Sequence, residues 1–127
     1  MKYGSQTDNK QERKTMRRLL SVVVSVYNEE EALAQFYQVT EGILNTISWD
    51  YELVFVNDGS RDQSLSILNR LADSNPKVKV VSFSRNFGHE AAMIAGIDYS
   101  QGDGIICMDA DLQHPPACIP EILKKRE

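Results

Sequence analysis

The chain of 127 residues contains no apolar stretch approaching the ~20 residues that a membrane-spanning helix requires. Its N-terminus is polar and lacks the apolar core of a secretory signal, so the residues as given are expected neither to cross a membrane nor to enter a secretory route by themselves. There are only two cysteines, Cys107 and Cys118, with neither C-x-x-C spacing nor a disulfide-dense pattern; buried, reduced thiols in a cytoplasmic protein are expected. Positive charge is not in excess either. The net charge of −4 removes any bulk attraction to nucleic acid. No G-x-G-x-x-G follows the first strand-like run, which argues against a nicotinamide-dinucleotide fold.

What the chain does have is ordinary globular composition, with 42% hydrophobic and 25% charged residues, and length enough for one domain and one core. The charge is uneven. Residues 1–18 carry six basic side chains (Lys2, Lys10, Arg13, Lys14, Arg17, Arg18) against Asp8 and Glu12. This segment reads as a solvated, flexible leader, or as a basic arm able to touch anionic lipid. Residues 19–127 form the domain.

Within the domain, apolar β-branched runs alternate with helical periodicity. Leu19–Val26 reads as a strand buried on both faces. Leu33, Phe36, Ile43, Leu44 and Ile47 follow helical spacing over 30–47, with Glu29, Glu30 and Glu31 at the N-terminal end, where acids are favourable. Leu53–Val56 is a second strand. Ser60 and Gln63 have capping-box spacing ahead of a helix carrying Leu65, Leu68 and Leu71, which Asn75-Pro76 ends. Val78–Phe83 is a third strand, and Gly88–Tyr99 a helix whose small residues (Ala91, Ala92, Ala95, Gly96) allow close packing on a sheet. After the turn Gln101–Gly104 comes a fourth strand, Ile105–Met108, and Pro116 suits the first turn of a last helix anchored by Ile119, Ile122 and Leu123. Four such units predict an α/β fold: a Rossmann-like parallel sheet with helices on both faces.

In sheets of this kind ligands bind beyond the carboxyl ends of the strands, near the reversal of strand order. Every strand here ends in polar residues: Tyr27-Asn28-Glu29, Asn57-Asp58-Gly59-Ser60, Ser84-Arg85-Asn86 and Asp109-Ala110-Asp111. Residues two apart in extended chain point the same way, so Asp109 and Asp111 are able to converge on a hard cation such as Mg²⁺ or Mn²⁺. A rim of acids with one nearby arginine does not suit a bare anion. A metal-bound nucleoside diphosphate suits it well.

These motifs resemble the family 2 glycosyltransferases, whose catalytic domain is called GT-A. The matching text is Ser21-Val22-Val23-Val24-Ser25-Val26-Tyr27-Asn28-Glu29-Glu30, Val56-Asn57-Asp58-Gly59-Ser60-Arg61-Asp62 and Asp109-Ala110-Asp111. Ser84-Arg85-Asn86-Phe87-Gly88-His89 and Asp109-Ala110-Asp111-Leu112-Gln113-His114-Pro115-Pro116 look most like the polyprenyl-phosphate sugar transferases, the dolichyl-phosphate mannosyltransferase and bactoprenol glucosyltransferase group. The resemblance covers about residues 19–127 and only the nucleotide-binding half of the family's domain. It implies an inverting, metal-assisted transfer from a UDP- or GDP-sugar to a polyprenyl phosphate at the cytoplasmic face of a membrane. By the same resemblance Tyr27, Asn28, Glu29 and Ser60 contact the nucleotide, Asp58 the nucleobase, and Asp109 the ribose and diphosphate. Asp111 binds the metal with Gln113 and Asp109, and Arg85 lies near the donor. Asp109 and Asp111 are the residues closest to the chemistry.

With half the domain absent, the resemblance implies weak or no transfer by these residues alone, and an uncovered fourth strand that invites self-association. Alternatives are a non-catalytic nucleotide-binding module, such as a receiver-like domain, and transfer to a saccharide instead of a lipid phosphate. His89 and His114 are expected to be structural or solvent-exposed; His114, three residues beyond Asp111, is the better metal candidate. Met93, Phe83 and Phe87 are expected in the core, and Trp49 at the helix-to-strand turn. Gly88, Gly96 and Gly102 do not form a phosphate loop.

Overall fold

The computed structural model describes residues 18–110 together with 119, 120 and 123. The leader before Arg18, and Asp111, Gln113, His114, Pro116, Cys118 and Ile122, lie outside the described residues.

The strands are β1 (Leu19–Val26), β2 (Asp50–Asn57), β3 (Val78–Ser82) and β4 (Gly104–Asp109); the helices between them are α1 (Leu33–Leu44), α2 (Ser64–Ser74) and α3 (His89–Tyr99). All strand pairs are parallel, in the order β3-β2-β1-β4. The chain steps outward from β1 to β3, then returns past β1 to place β4 on its other side. Strand order therefore reverses between β1 and β4, where the carboxyl ends leave a crevice.

Alternation along β1 fills two layers. Leu20, Val22, Val24 and Val26 face α1 and α2 and pack with Leu33, Phe36, Phe55 and Leu68; the Phe36 and Phe55 rings meet edge to face at 6.4 Å. Met108, Ala110, Ile119 and Leu123 complete this layer, so Ile119 and Leu123 are the anchors their spacing predicts. On the other face Val23, Val54, Val56 and Ala92 form a thinner core under α3. A Cβ on Gly96 would stand 2.4 Å from Val23 Cγ1; the small residues of α3 do bring its backbone onto the sheet. Trp49 is buried at the α1–β2 turn, with the Arg18 guanidinium over its ring.

Coverage of both faces fails at β4. Ile105 is 41% exposed and Cys107 is an exposed free thiol, against the expectation of a buried one. The reason is position: α3 lies over β1 and β2, and among the described residues nothing lies over this face of the edge strand. Partial desolvation still raises the Cys107 thiol pKa, which leaves little thiolate at neutral pH.

At the amino ends of the strands a buried carboxylate ties three segments together. Glu52 accepts hydrogen bonds from the Ser21 hydroxyl (2.6 Å) and the Gln101 amide (2.7 Å), and Ser21 Oγ accepts the Gly102 amide. A Glu52→Ala change strands two donors in a buried place, which costs about 2–3 kcal/mol. We expect a lower urea midpoint at unchanged slope, and no change in ligand binding, because this knot is at the opposite end of the sheet from the crevice.

Candidate functional site

The carboxyl rim is built from three loops and one strand end. After β1 the chain turns at Asn28, the one described non-glycine residue with positive φ (54°), a conformation that asparagine tolerates. The Asn28 amide donates to Ser60 Oγ (3.0 Å), and the Arg61 amide donates to Asn28 Oδ1 (2.8 Å). The Glu29 amide donates to Ser64 Oγ and the Glu30 amide to Asp62 Oδ2, while the Gln63 amide donates back to Glu30 Oε1. The β1–α1 and β2–α2 loops are thus stitched side by side.

This stitching displaces two expectations. The Ser60 hydroxyl holds Asn28 instead of capping α2; the helix start is served by Asp62 Oδ1, which accepts the Ser64 amide. Helix α1 begins at Leu33, not at 30, because Glu29–Ala32 form a turn in which the Glu29 carbonyl accepts the Ala32 and Leu33 amides. A cavity of about 400 Å³ lies here, lined by Asn28, Glu29, Glu30, Glu31, Ala32 and Asp62. Slight burial works to raise the Asp62 pKa, but hydrogen bonds from Ser64 and Glu30 outweigh it and hold the carboxyl below its usual range. Walls of this charge suit hydroxyl or amide donors, not bare phosphate.

Asp58, 2% exposed, turns its carboxylate into the β3–α3 loop. Oδ1 accepts the Phe87 amide (2.8 Å), and Oδ2 accepts the Gly88 amide (3.1 Å) and the Asn86 side-chain amide (3.1 Å). Gly59 follows at φ 70°, so close to this loop that an added Cβ would stand 2.2 Å from the Arg85 carbonyl carbon. Asn57 completes the junction, donating to Ser82 Oγ and accepting the Ser60 amide. Phe83 and Met93 pack against the α3-side core as expected. Phe87 does not: it is 52% exposed, since the loop leaves the sheet before reaching it. Its ring meets Phe83 edge to face at 5.4 Å and carries the Arg85 guanidinium 4.6 Å above its centre. Arg61, on the β2–α2 loop, is a second arginine at this rim.

Asp109 ends β4, in the crevice. His89 Nε2, at the first residue of α3, is 2.8 Å from Asp109 Oδ1. A carboxylate only accepts, so Nε2–H is the donor in this contact. Among the described residues no three His, Cys, Asp or Glu gather as a metal-holding group; Asp111 and Gln113, the other expected ligands, lie outside them. Tyr27, Asn28, Glu29, Asp58, Ser60, Arg85 and Asp109 all stand at carboxyl ends of strands, as the sequence predicts. Asn57 and Asn86 stand on the rim that the sequence predicts, with no individual role expected of either; His89, expected to be structural or solvent-exposed, was not expected at the site. Only the location of His89, at a helix start on the same rim, pointed to it.

The model of the family described as Glycosyl transferase family 2 matches residues 21–127. The prophage bactoprenol glucosyl transferase homolog of Escherichia coli K12 is 48% identical over 106 residues, covering 84% of this chain and 35% of that protein. The uncharacterized glycosyltransferase YkcC of Bacillus subtilis is 49% identical over 105 residues, 83% of this chain and 32% of its own length. The chain therefore spans about a third of the curated relatives it matches. Among solved structures, Staphylococcus aureus TarS 1-349 superposes with a TM-score of 0.64 at 24% identity, over 80% of this chain and 32% of that one. The mannosyltransferase PcManGT of Pyrobaculum calidifontis, in complex with GDP-Man and Mn²⁺, gives 0.62 at 23%, over 75% and 28%. These two likenesses concern the fold. The match of sequence along β1, β2 and β4, on a sheet that places those same motifs on one rim, makes this chain a member of glycosyl transferase family 2.

Proposed function

We propose that this chain is the donor-binding part of an inverting glycosyltransferase that moves a sugar from a UDP- or GDP-sugar to a polyprenyl phosphate, assisted by Mg²⁺ or Mn²⁺. The observation that carries the reading is the placement of Asp109 at the reversal of strand order, on a rim where the loops after β1, β2 and β3 interlock. Tyr27, Asn28, Glu29 and Ser60 line the nucleotide side, Asp58 the nucleobase side, and Arg85 approaches the donor from the β3–α3 loop.

Oxygen donors are what a hard divalent cation selects, and Asp109 with Asp111 and Gln113 would hold it. When bound, the cation stabilises the charge that develops on the departing diphosphate. The chain's own groups bind and orient the donor, so that the anomeric carbon faces the acceptor. A lipid phosphate is already anionic and needs no strong base. The names of the bactoprenol relatives favour this acceptor over a saccharide.

No described helix is long and apolar enough to cross a membrane; we place the whole protein at the cytoplasmic face of a membrane, with the basic segment 1–18 as a peripheral contact. The exposed Ile105 and the edge position of β4 favour self-association of this chain. Sedimentation at rising concentration should show dimers or larger species, and a clean monomer throughout would refute this.

Titration of UDP, GDP and NAD, each with and without Mn²⁺, tests the main reading. Metal-dependent binding of UDP or GDP supports it. Metal-independent NAD binding, or reversible phosphorylation with no nucleotide binding, replaces it with a dinucleotide-binding or receiver-like module.

A further inference from the structure

We infer that His89 is a positioning residue of the donor site: it fixes one oxygen of Asp109 and leaves the other for the ligand, and its own place is set by Asp58. The inference rests on the donor-site reading above. An aspartate at a strand end has a broad terminal torsion, so its carboxylate plane is undetermined unless something holds it. Here His89 Nε2 holds Oδ1 at 2.8 Å. With Oδ1 engaged, Asp109 meets a cation or ribose hydroxyl through Oδ2.

The imidazole is itself anchored from two directions. Ala92 and the close approach of Gly96 seat α3 on β1 and β2. Gly88, at φ 108°, immediately precedes His89, and its amide is caught by the buried Asp58 carboxylate. A continuous path therefore runs from Asp58 at the end of β2, through Gly88 and His89, to Asp109 at the end of β4. It joins the nucleobase side of the proposed pocket to its diphosphate side across the intervening β1. Held in advance, the carboxylate loses less freedom on binding. The histidine side chain is 59% exposed, so its removal is not a folding lesion.

The test is calorimetric titration of Mn²⁺-UDP and Mn²⁺-GDP into this chain and its His89→Ala, His89→Gln and Asp109→Asn variants. His89→Ala should weaken binding about tenfold, within the range that outer partners of metal ligands contribute. His89→Gln, which can offer an amide N–H to Asp109, should recover most of the loss. In the Asp109→Asn background, His89→Ala should add little, since the two act as one unit. Unchanged affinity in His89→Ala beside a binding wild type overturns the positioning role and leaves the donor site standing. Absence of binding by the wild type overturns the donor-site reading, and the positioning role with it. The nitrogen NMR spectrum of the His89 ring gives a readout free of nucleotide: a fixed Nε2–H form that is lost in Asp109→Ala supports the contact, and a tautomer mixture unaffected by that change contradicts it.

Discussion

Replacing Gly59 with alanine is expected to be among the most damaging single changes in the chain. Two penalties coincide. The backbone at φ 70° is left-handed, a conformation that costs an L-residue about 1–2 kcal/mol. The added Cβ would also stand 2.2 Å from the Arg85 carbonyl carbon and 2.4 Å from the Asn86 nitrogen. Both contacts are backbone, so no rotamer change relieves them. The β2–α2 loop must move away from the β3–α3 loop, at a further cost of about 1–3 kcal/mol, and that movement pulls Asp58 out of its hydrogen bonds. We expect the denaturation midpoint to fall by an amount equivalent to roughly 3 kcal/mol or more, and nucleotide binding to be lost even where the variant stays folded. Gly42, within α1 and with nothing inside 4 Å of an added Cβ, is the matched control; alanine there should be neutral or slightly stabilising.

The second large effect is expected at Asp58. Truncation to alanine removes the acceptor of the Phe87 and Gly88 amides and of the Asn86 side chain, in a place where the aspartate is 2% exposed. Hydrogen bonds to a charged group contribute about 1.5–3 kcal/mol each, and unpaired donors cost more when water cannot reach them. Loop relaxation lets some of them find solvent, so a net loss of about 2–4 kcal/mol is expected. Hydrogen exchange should localise the damage, with the amides of Phe87 and Gly88 losing protection first. A variant with an unchanged midpoint and protected amides would show that the loop is held by something else. Asp58→Asn should recover only part of the loss, because its amide presents a donor to donors.

The architecture was legible in the sequence because it rests on two strong periodicities. Leu19–Val26 is apolar at nearly every position, which only a strand covered on both faces requires, and β1 is indeed central. Helix α3 was legible from its small residues. What misled was local. Ser60 and Gln63 have the right spacing for a capping box, yet the hydroxyl is taken by Asn28, 32 positions away; spacing rules see only near neighbours. Cys107 sits in an apolar run and looks buried, but its exposure is set by which helix covers β4, a tertiary matter. Phe87 similarly looks like core and instead supports Arg85. At the site, residue types at strand ends sufficed to locate the rim. They did not reveal that Asp58 faces the β3–α3 loop, or that His89 reaches Asp109, since both depend on how the loop after β3 folds back.

The central claim is that Asp109, at the end of β4, and Asp111 serve a metal-bound nucleoside diphosphate. Its most direct test is calorimetric titration of UDP and GDP, with and without Mn²⁺, into the wild-type chain and into Asp111→Ala. One of the two nucleotides is expected to bind the wild type only when Mn²⁺ is present, and Asp111→Ala to abolish this binding while leaving the thermal midpoint of the fold in place. Equal binding with and without the metal, or full retention of metal-dependent binding by Asp111→Ala, would contradict it.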